Sequence, residues 1–102
     1  MTVTIEVPPG QKGFAEDKDK AKEVRVTLLL PALQAGDSVI LDFAHVTFAT
    51  QSYVHALIGQ ALKQYGEAAL DRIEFKNCSP QLRSIIDLVV DYSLGGFALR
   101  TQ

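Results

Sequence analysis

Side chains that could do chemistry are concentrated between residues 42 and 55. Asp42, His45 and Ser52 supply the three residue types of a hydrolytic triad. The nucleophilic serine of an α/β hydrolase, however, lies in a Gly-x-Ser-x-Gly turn, and the sequence contains none. We therefore expect no enzymatic activity from these residues. Asp42 is instead predicted to accept hydrogen bonds from neighbouring backbone N–H groups where a strand ends.

Metal and cofactor sites are not predicted either. His45 and His55 are ten residues apart, and no third ligand with suitable spacing accompanies them. The one cysteine, Cys78, can form neither an internal disulfide nor a multi-cysteine zinc site, and it is expected to pack as a small apolar residue. No glycine-rich phosphate loop is present. We expect no cofactor.

The remaining polar residues of this segment stand where a helix is predicted to begin. Thr50 is placed to be the N-cap, with Gln51 and Ser52 at the first two helical positions. One hydroxyl suffices to cap a helix, so Ser52 should be exposed in the first turn. A phosphate there would meet free N–H groups and the positive end of the helix dipole. The residues alone nevertheless favour a plain solvated serine.

The elements around this segment follow from hydrophobic periodicity. A short strand is predicted over Thr2–Val7, and "SVILDF", Ser38–Phe43, fits a buried central strand. The clearest helix runs from Thr50 to Tyr65, ended by Gly66. Residues 21–35 fit either a strand or a helix. The Lys- and Glu-rich lead-in favours a helix, which Pro31 should kink or break.

The C-terminal third repeats the alternation. Arg72–Lys76 is predicted to be a strand, and Ser79-Pro80 should cap and open a helix that Gly95-Gly96 ends. Residues 97–100 are either a last short strand or a tail. Strands alternating with helices predict an α/β fold, with a mixed or mostly parallel central sheet of about four strands covered by about three helices. At 102 residues, we expect one domain over residues 1–102.

Charge and composition limit the partners. The net charge is −2 and no basic stripe is present, which argues against nucleic acid or an anionic membrane. The sequence contains no run of 18 apolar residues, so no membrane span is predicted. It also lacks a basic start followed by an apolar stretch, so no signal peptide is predicted. We expect a cytoplasmic location.

The stretch "VILDFAHVTFATQSYVHALIGQAL", Val39–Leu62, resembles the strand–loop–helix core of STAS domains, the family of anti-sigma-factor antagonists. It is most similar to the bacterial STAS-like domain of unknown function. The resemblance rests on five residues: Asp42, Phe43, Val46, Phe48 and Ser52. The later "RIEFKNCSPQLRSIID" resembles the family's next strand and helix, so that the likeness covers about residues 38–92.

The resemblance implies a non-catalytic, regulatory protein-binding module with a STAS-like fold. In antagonist members, the serine that matches Ser52 is phosphorylated by a partner kinase, and this switches binding off. The family's Asp-Ser-Ser-Gly is Thr50-Gln51-Ser52-Tyr53 here, and the bulky Tyr53 replaces a glycine. The implied partner is a histidine-kinase-type ATPase or an anti-sigma factor. We call the following residues the predicted partner surface: Asp42, His45, Thr47, Thr50, Gln51, Ser52, Tyr53 and His55.

Two other functions stay open at this stage. Some STAS domains are thought to bind a small molecule or a nucleotide at the same strand ends, which a pocket with convergent polar groups would favour. A homodimer would be favoured by an exposed apolar patch on the first or third helix.

Overall fold

The computed structural model of the protein describes residues 1–94, which form five strands and four helices. In chain order they are β1 Thr2–Glu6, β2 Phe14–Ala15, α1 residues 18–34, β3 Ser38–Asp42, β4 Phe48–Ala49, α2 residues 51–65, α3 Glu67–Arg72, β5 Ile73–Lys76 and α4 Pro80–Ser93. The alternating α/β fold is therefore confirmed. None of the helices in this range is long and apolar enough to cross a membrane.

The main sheet has three parallel strands in the order β1-β3-β5. β3 lies in the centre, as the run of apolar residues on both of its faces predicted. Its neighbours stand in register, with Val3 beside Val39 and Val39 beside Ile73. A second sheet pairs β2 with β4, also in parallel. Because the three strands of the main sheet are parallel, their carboxyl ends all lie at the same end of that sheet.

The two faces of the main sheet differ in composition. One face carries Val3, Ile5, Val39, Leu41 and Ile73, which pack into the core together with apolar residues of the helices. The opposite face carries Thr4, Ile40 and Glu74 in one row across the strands, and Thr4 and Glu74 are exposed. Because successive side chains of a strand point to opposite faces, the helices form one layer on the apolar face and the sheet forms the other.

Helix α1 resolves the ambiguity of residues 21–35 in favour of a helix. It consists of α-helix Lys18–Val24, π-helix Arg25–Leu29 and α-helix Leu30–Gln34. The N–H of Leu30 bonds to the carbonyl of Arg25, five residues back, and Pro31 follows in the first turn of the last α-helical stretch. Proline has no backbone N–H to donate, and the first turn of an α-helical stretch does not require one. The helix therefore continues through the wider π-helical turn and does not end at Pro31.

Apolar faces predicted from helical spacing form the core. Leu57, Ile58 and Ile86 are completely buried. The same helical spacing predicts that Ile85 is a core residue, and this is wrong, because Ile85 is only partly buried at the side of α4. The reason is geometric, because Leu82, Ile86 and Val89 take the centre of the buried stripe and leave Ile85 at its margin.

Three short elements were missed in the sequence. Strands β2 and β4 are two residues long, which is too short for any periodicity to show. Helix α3 begins directly after Gly66, whose φ of +65° ends α2. The predicted stop at Gly95-Gly96 and the proposed last strand, residues 97–100, lie outside the described residues.

Candidate functional site

The predicted partner surface begins where β3 ends, at Asp42. The Oδ1 atom of Asp42 accepts a hydrogen bond from the Ala44 N–H at 2.9 Å and another from Asn77 Nδ2 at 2.9 Å. The bonds from Asn77 and Ala44 hold the pKa of Asp42 below its usual value, since both favour the ionised form. The carboxylate therefore acts as a fixed acceptor that shapes the loop, as the sequence predicted.

Asn77 and Ser79 hold this loop against the last helix. Asn77 has a positive φ of 61°, a conformation that asparagine tolerates better than most residues. The Ser79 hydroxyl donates to the Thr47 carbonyl at 2.8 Å and accepts from the Leu82 N–H at 3.2 Å, capping α4. The loop between β3 and β4 is thus connected by side chains to the segment that joins β5 to α4.

Neither contact could be derived from the sequence. The residue type of Asn77 predicts a bond to the backbone of its own loop, whereas Asn77 bonds to the Asp42 side chain. Ser79 was recognised as a cap but not as a donor to Thr47. Both partners lie more than thirty positions away along the chain, and only the pairing of β3 with β5 brings the two segments together.

The second support of the loop comes from the segment before α1. The Gly13 carbonyl accepts from the N–H groups of Thr47 at 2.8 Å and Phe48 at 3.2 Å. A Cβ atom on Gly13 would lie 2.7 Å from the Thr47 hydroxyl, so this close approach requires glycine. The Phe14 and Phe48 rings stack beside it with centroids 5.6 Å apart.

Thr50 caps α2 and Ser52 is exposed in its first turn, as the sequence predicted. The Thr50 hydroxyl accepts from the Tyr53 N–H at 3.1 Å and so caps α2, which begins at Gln51. Ser52 is exposed at the second helical position, and its hydroxyl makes no hydrogen bond with residues 1–94, although its backbone carbonyl accepts from the His55 N–H. Its hydroxyl is free to meet a partner or to carry a phosphate.

Tyr53 is not part of the surface. Its side chain is only 1% exposed, and its hydroxyl lies 3.5 Å from the Pro8 carbonyl. Burial, together with the charge of Asp17, raises the pKa of Tyr53 to about 12. The prediction that Tyr53 contacts a partner was therefore wrong, because the residue fills the core under the helix start and leaves Ser52 uncovered.

The remaining polar residues of the surface are spread over the loop and the first turns of α2. His45, Thr47 and Gln51 are exposed. His55 is half-buried, and its ring lies 5.6 Å from that of Tyr92 on α4. The two histidines make no common contact, and residues 1–94 contain no group of three His, Cys, Asp or Glu side chains that could hold a metal ion.

Cys78 lies half-buried between β5 and α4. It packs against the core, and burial raises the pKa of its thiol above the usual value. A raised pKa keeps the thiol protonated, which disfavours a nucleophilic role. The expectation that Cys78 packs as a small apolar residue agrees with this position.

An open cleft of about 570 Å³ adjoins the carboxyl end of β1. Its walls combine the apolar Pro8, Pro9 and Phe14 with four polar side chains: Gln11, Glu16, Asp17 and Lys20. Phe14 is 40% exposed, which is unusual for so large an apolar ring. No sequence signal marked this cleft, since residues 8–20 have no periodic hydrophobic pattern.

Comparison with known proteins gives one match. A family described as a STAS-like domain of unknown function (DUF4325) matches residues 20–83. The matched segment contains the Asp42 acceptor, the Thr50 cap, Ser52 and the Asn77–Ser79 segment. No curated protein and no solved structure shows a significant match.

Proposed function

The chain belongs to the family of STAS-like domains, and from this premise we propose that it is a regulatory module that binds a protein partner and has no catalytic activity of its own. The proposed binding surface consists of the exposed residues His45, Thr47, Gln51 and Ser52, with the half-exposed Thr50 between them. We name it the Ser52 surface. It is narrower than the set expected from the sequence, because it leaves out the buried Tyr53 and the half-buried Asp42 and His55.

One observation carries this proposal. Capping of α2 is complete without Ser52, because Thr50 already bonds to the Tyr53 N–H. Ser52 is nevertheless held in a defined place, at the end of a loop that bonds to Gly13, Asn77 and Ser79. A hydroxyl that the fold does not use, on a rigid support, suits recognition by a partner.

The proposed partner is a histidine-kinase-type ATPase or an anti-sigma factor, and the proposed switch is negative charge at Ser52. A phosphate there would be stabilised by the free N–H groups and the dipole of α2. It would also add negative charge to the centre of the Ser52 surface. A partner that fits the neutral hydroxyl would have to remove water from this charge, which weakens binding.

A titration tests this proposal. A histidine-kinase-type ATPase or anti-sigma factor that co-purifies with the protein from its host is titrated with the wild type, with Ser52→Asp and with Ser38→Asp. Ser38 is an exposed serine at the start of β3, at the other end of the sheet, so its variant carries the same charge change. We expect Ser52→Asp to weaken binding at least about tenfold, or about 1.4 kcal/mol.

Ser38→Asp should bind like the wild type. Equal affinities for the wild type and Ser52→Asp would contradict a switch at Ser52. Mass spectrometry of the protein purified from its host then tests whether Ser52 is phosphorylated. An unmodified Ser52 under all growth conditions would contradict phosphorylation, and only the proposed binding surface would remain.

The cleft beside β1 favours a second candidate function, the binding of a small molecule or nucleotide. Its volume of about 570 Å³ falls within the range of ligand sites, and Phe14 could stack on a base or another ring. Calorimetric titration with a panel of nucleotides tests this function. Binding that Phe14→Ala abolishes would support it, and the absence of heat with every nucleotide would contradict nucleotide binding.

A further inference from the structure

The outer edge of β1 presents a free row of backbone hydrogen-bonding groups. The Ser38 N–H donates to the Met1 carbonyl and the Val7 N–H donates to the Asp42 carbonyl, both at 2.9 Å. The odd-numbered residues of β1 therefore direct their backbone groups towards β3. Because these groups alternate along a strand, Thr2, Thr4 and Glu6 direct theirs away from the sheet, and we call this row the β1 edge.

No strand of residues 1–94 pairs with the β1 edge. Natural sheets protect such edges with proline, lysine, bulges or very short strands. The strand "TVTIE" contains no proline, lysine or bulge and a single charged residue, Glu6, and its register with β3 is unbroken over all five residues. The opposite edge, β5, is shorter and carries the charged residues Glu74 and Lys76. The β5 edge is therefore better protected against pairing with another strand than the β1 edge.

We propose that the β1 edge binds the β1 edge of a second copy of this chain. The two strands run antiparallel about a two-fold axis at Thr4. In this register Thr4 pairs with Thr4 of the second copy, and Thr2 pairs with Glu6 of the second copy, in both directions. Each of these pairs exchanges two backbone hydrogen bonds, which makes about six bonds in total.

The side chains of β1 are complementary to one another in the same register. On the open face, the Thr4 hydroxyls meet across the axis, and the carboxylate of Glu6 lies opposite the hydroxyl of Thr2. The strand's only charge therefore faces a neutral donor and not its own copy. On the helix side, the half-buried Val3 lies opposite Ile5 of the second copy and gains apolar cover.

The resulting dimer has one continuous sheet, in which the two copies of β1 are neighbours in the middle. A two-fold axis perpendicular to the sheet keeps both helix layers on the same side. It also places the two Ser52 surfaces at opposite ends, because the strands of the two copies run in opposite directions. The β1 edge shares no residue with the Ser52 surface, so this inference goes beyond the proposed function and does not depend on it.

Sedimentation velocity of the full chain over a concentration series tests the proposal. We expect the wild type to show a reversible monomer–dimer equilibrium. Thr4→Pro removes an N–H that β3 does not use and adds a ring at the axis, so it should weaken dimerisation at least about tenfold, equivalent to about 1.4 kcal/mol. Thr4→Val keeps every backbone bond and should still dimerise.

A charge exchange tests the register and does not depend on how well the proline variant folds. Thr2→Glu places a second carboxylate opposite Glu6 of the other copy and should weaken the dimer, whereas Thr2→Lys should strengthen it. The double variant Thr2→Glu with Glu6→Lys should restore dimerisation. Circular dichroism should be the same for all of these variants.

Two results would overturn the proposal. One is a wild type that stays monomeric over the whole concentration series. The other is a dimer whose stability is the same in Thr2→Glu and Thr2→Lys, since such a dimer would use another surface.

Discussion

At the scale of single residues, three neighbours in the sequence have three different environments. The Thr50 hydroxyl accepts a hydrogen bond in the first turn of α2, the Ser52 hydroxyl is exposed to solvent, and the Tyr53 side chain is buried. Helical geometry separates them, because successive positions project about 100° apart around the axis. Two residues that read alike in the sequence, Thr50 and Ser52, should therefore respond differently to substitution.

Denaturant melts of Thr50→Ala and Ser52→Asp measure this difference. Thr50→Ala should lower the free energy of unfolding by about 1 kcal/mol, because the Tyr53 N–H loses its acceptor. Ser52→Asp should be neutral or stabilising by a few tenths of a kcal/mol, since it adds negative charge beside the positive end of α2. A loss at Ser52 as large as that at Thr50 would mean that Ser52 has a structural role.

The buried phenol of Tyr53 should be visible in the alkaline titration. Its pKa is about 12 in the folded chain, above the ordinary value of 10.0, chiefly because burial disfavours the charged phenolate. The folded state thus holds this proton more tightly than the unfolded state does. The corresponding stabilisation is complete below pH 10.0 and is lost as the pH rises towards 12.

The chain has three tyrosines, so the absorbance of tyrosinate should rise in more than one phase. The phase at the highest pH should disappear in Tyr53→Phe. A single phase near the ordinary pKa in the wild type would contradict the burial of Tyr53.

At the scale of elements, helix α2 contributes more of the large, fully buried side chains than any other described element, namely Tyr53, Leu57, Ile58 and Leu62. Leu57 is completely buried, whereas Ile85 on α4 is partly buried although both belong to apolar faces predicted from spacing. The energetic cost of losing a side chain depends on how well the surrounding residues can close the space. The two residues therefore form a matched pair for testing the position of the core.

Leu57→Ala should cost about 2–5 kcal/mol of unfolding free energy, because it leaves a cavity among residues that have no access to water. Ile85→Ala should cost clearly less, since water can replace part of the lost side chain. Denaturant melts of both variants measure the two values. Equal losses would place Ile85 in the centre of the core.

At the scale of the whole molecule, Arg72 joins segments that are far apart in the sequence. Its Nη2 atom donates to the Leu33 carbonyl at 2.6 Å and to the Asp37 carbonyl at 2.7 Å, and its Nε atom donates to Asp37 at 3.1 Å. The end of α1 and the start of β3 are thereby held against the residue that ends α3. One side chain satisfies the free carbonyls of a helix end.

Arg72→Met should lower the free energy of unfolding by about 1.5–3 kcal/mol, the range for losing hydrogen bonds from a charged donor. Arg72→Lys should recover only part of this loss, because an ammonium group cannot reproduce the planar arrangement of donors. Thermal melts of both variants give the comparison. A lysine variant as stable as the wild type would show that charge alone matters at this position.

The sequence by itself determined the features that depend on neighbours along the chain. Periodicity located β1, β3, β5 and the three long helices, and the local pattern of Thr50 and of Ser79-Pro80 marked two helix starts. It also predicted that β3 is the central strand, because a run of apolar residues is typical of an inner strand. The second covered face that this run implied is absent from residues 1–94, where Ile40 is only partly buried and lies between the exposed Thr4 and Glu74. These features rest on short-range geometry, which the order of residues records directly.

Only the tertiary structure decided which residues of the site meet. The bonds from Asn77 to Asp42, from Ser79 to Thr47 and from Gly13 to the loop join segments separated by more than thirty residues. It also buried Tyr53 and left the β1 edge without a partner strand among residues 1–94, although neither follows from the residue type. Long-range contacts depend on how the strands are ordered across the sheet, and a hydrophobic pattern along one strand does not specify which strands lie beside it.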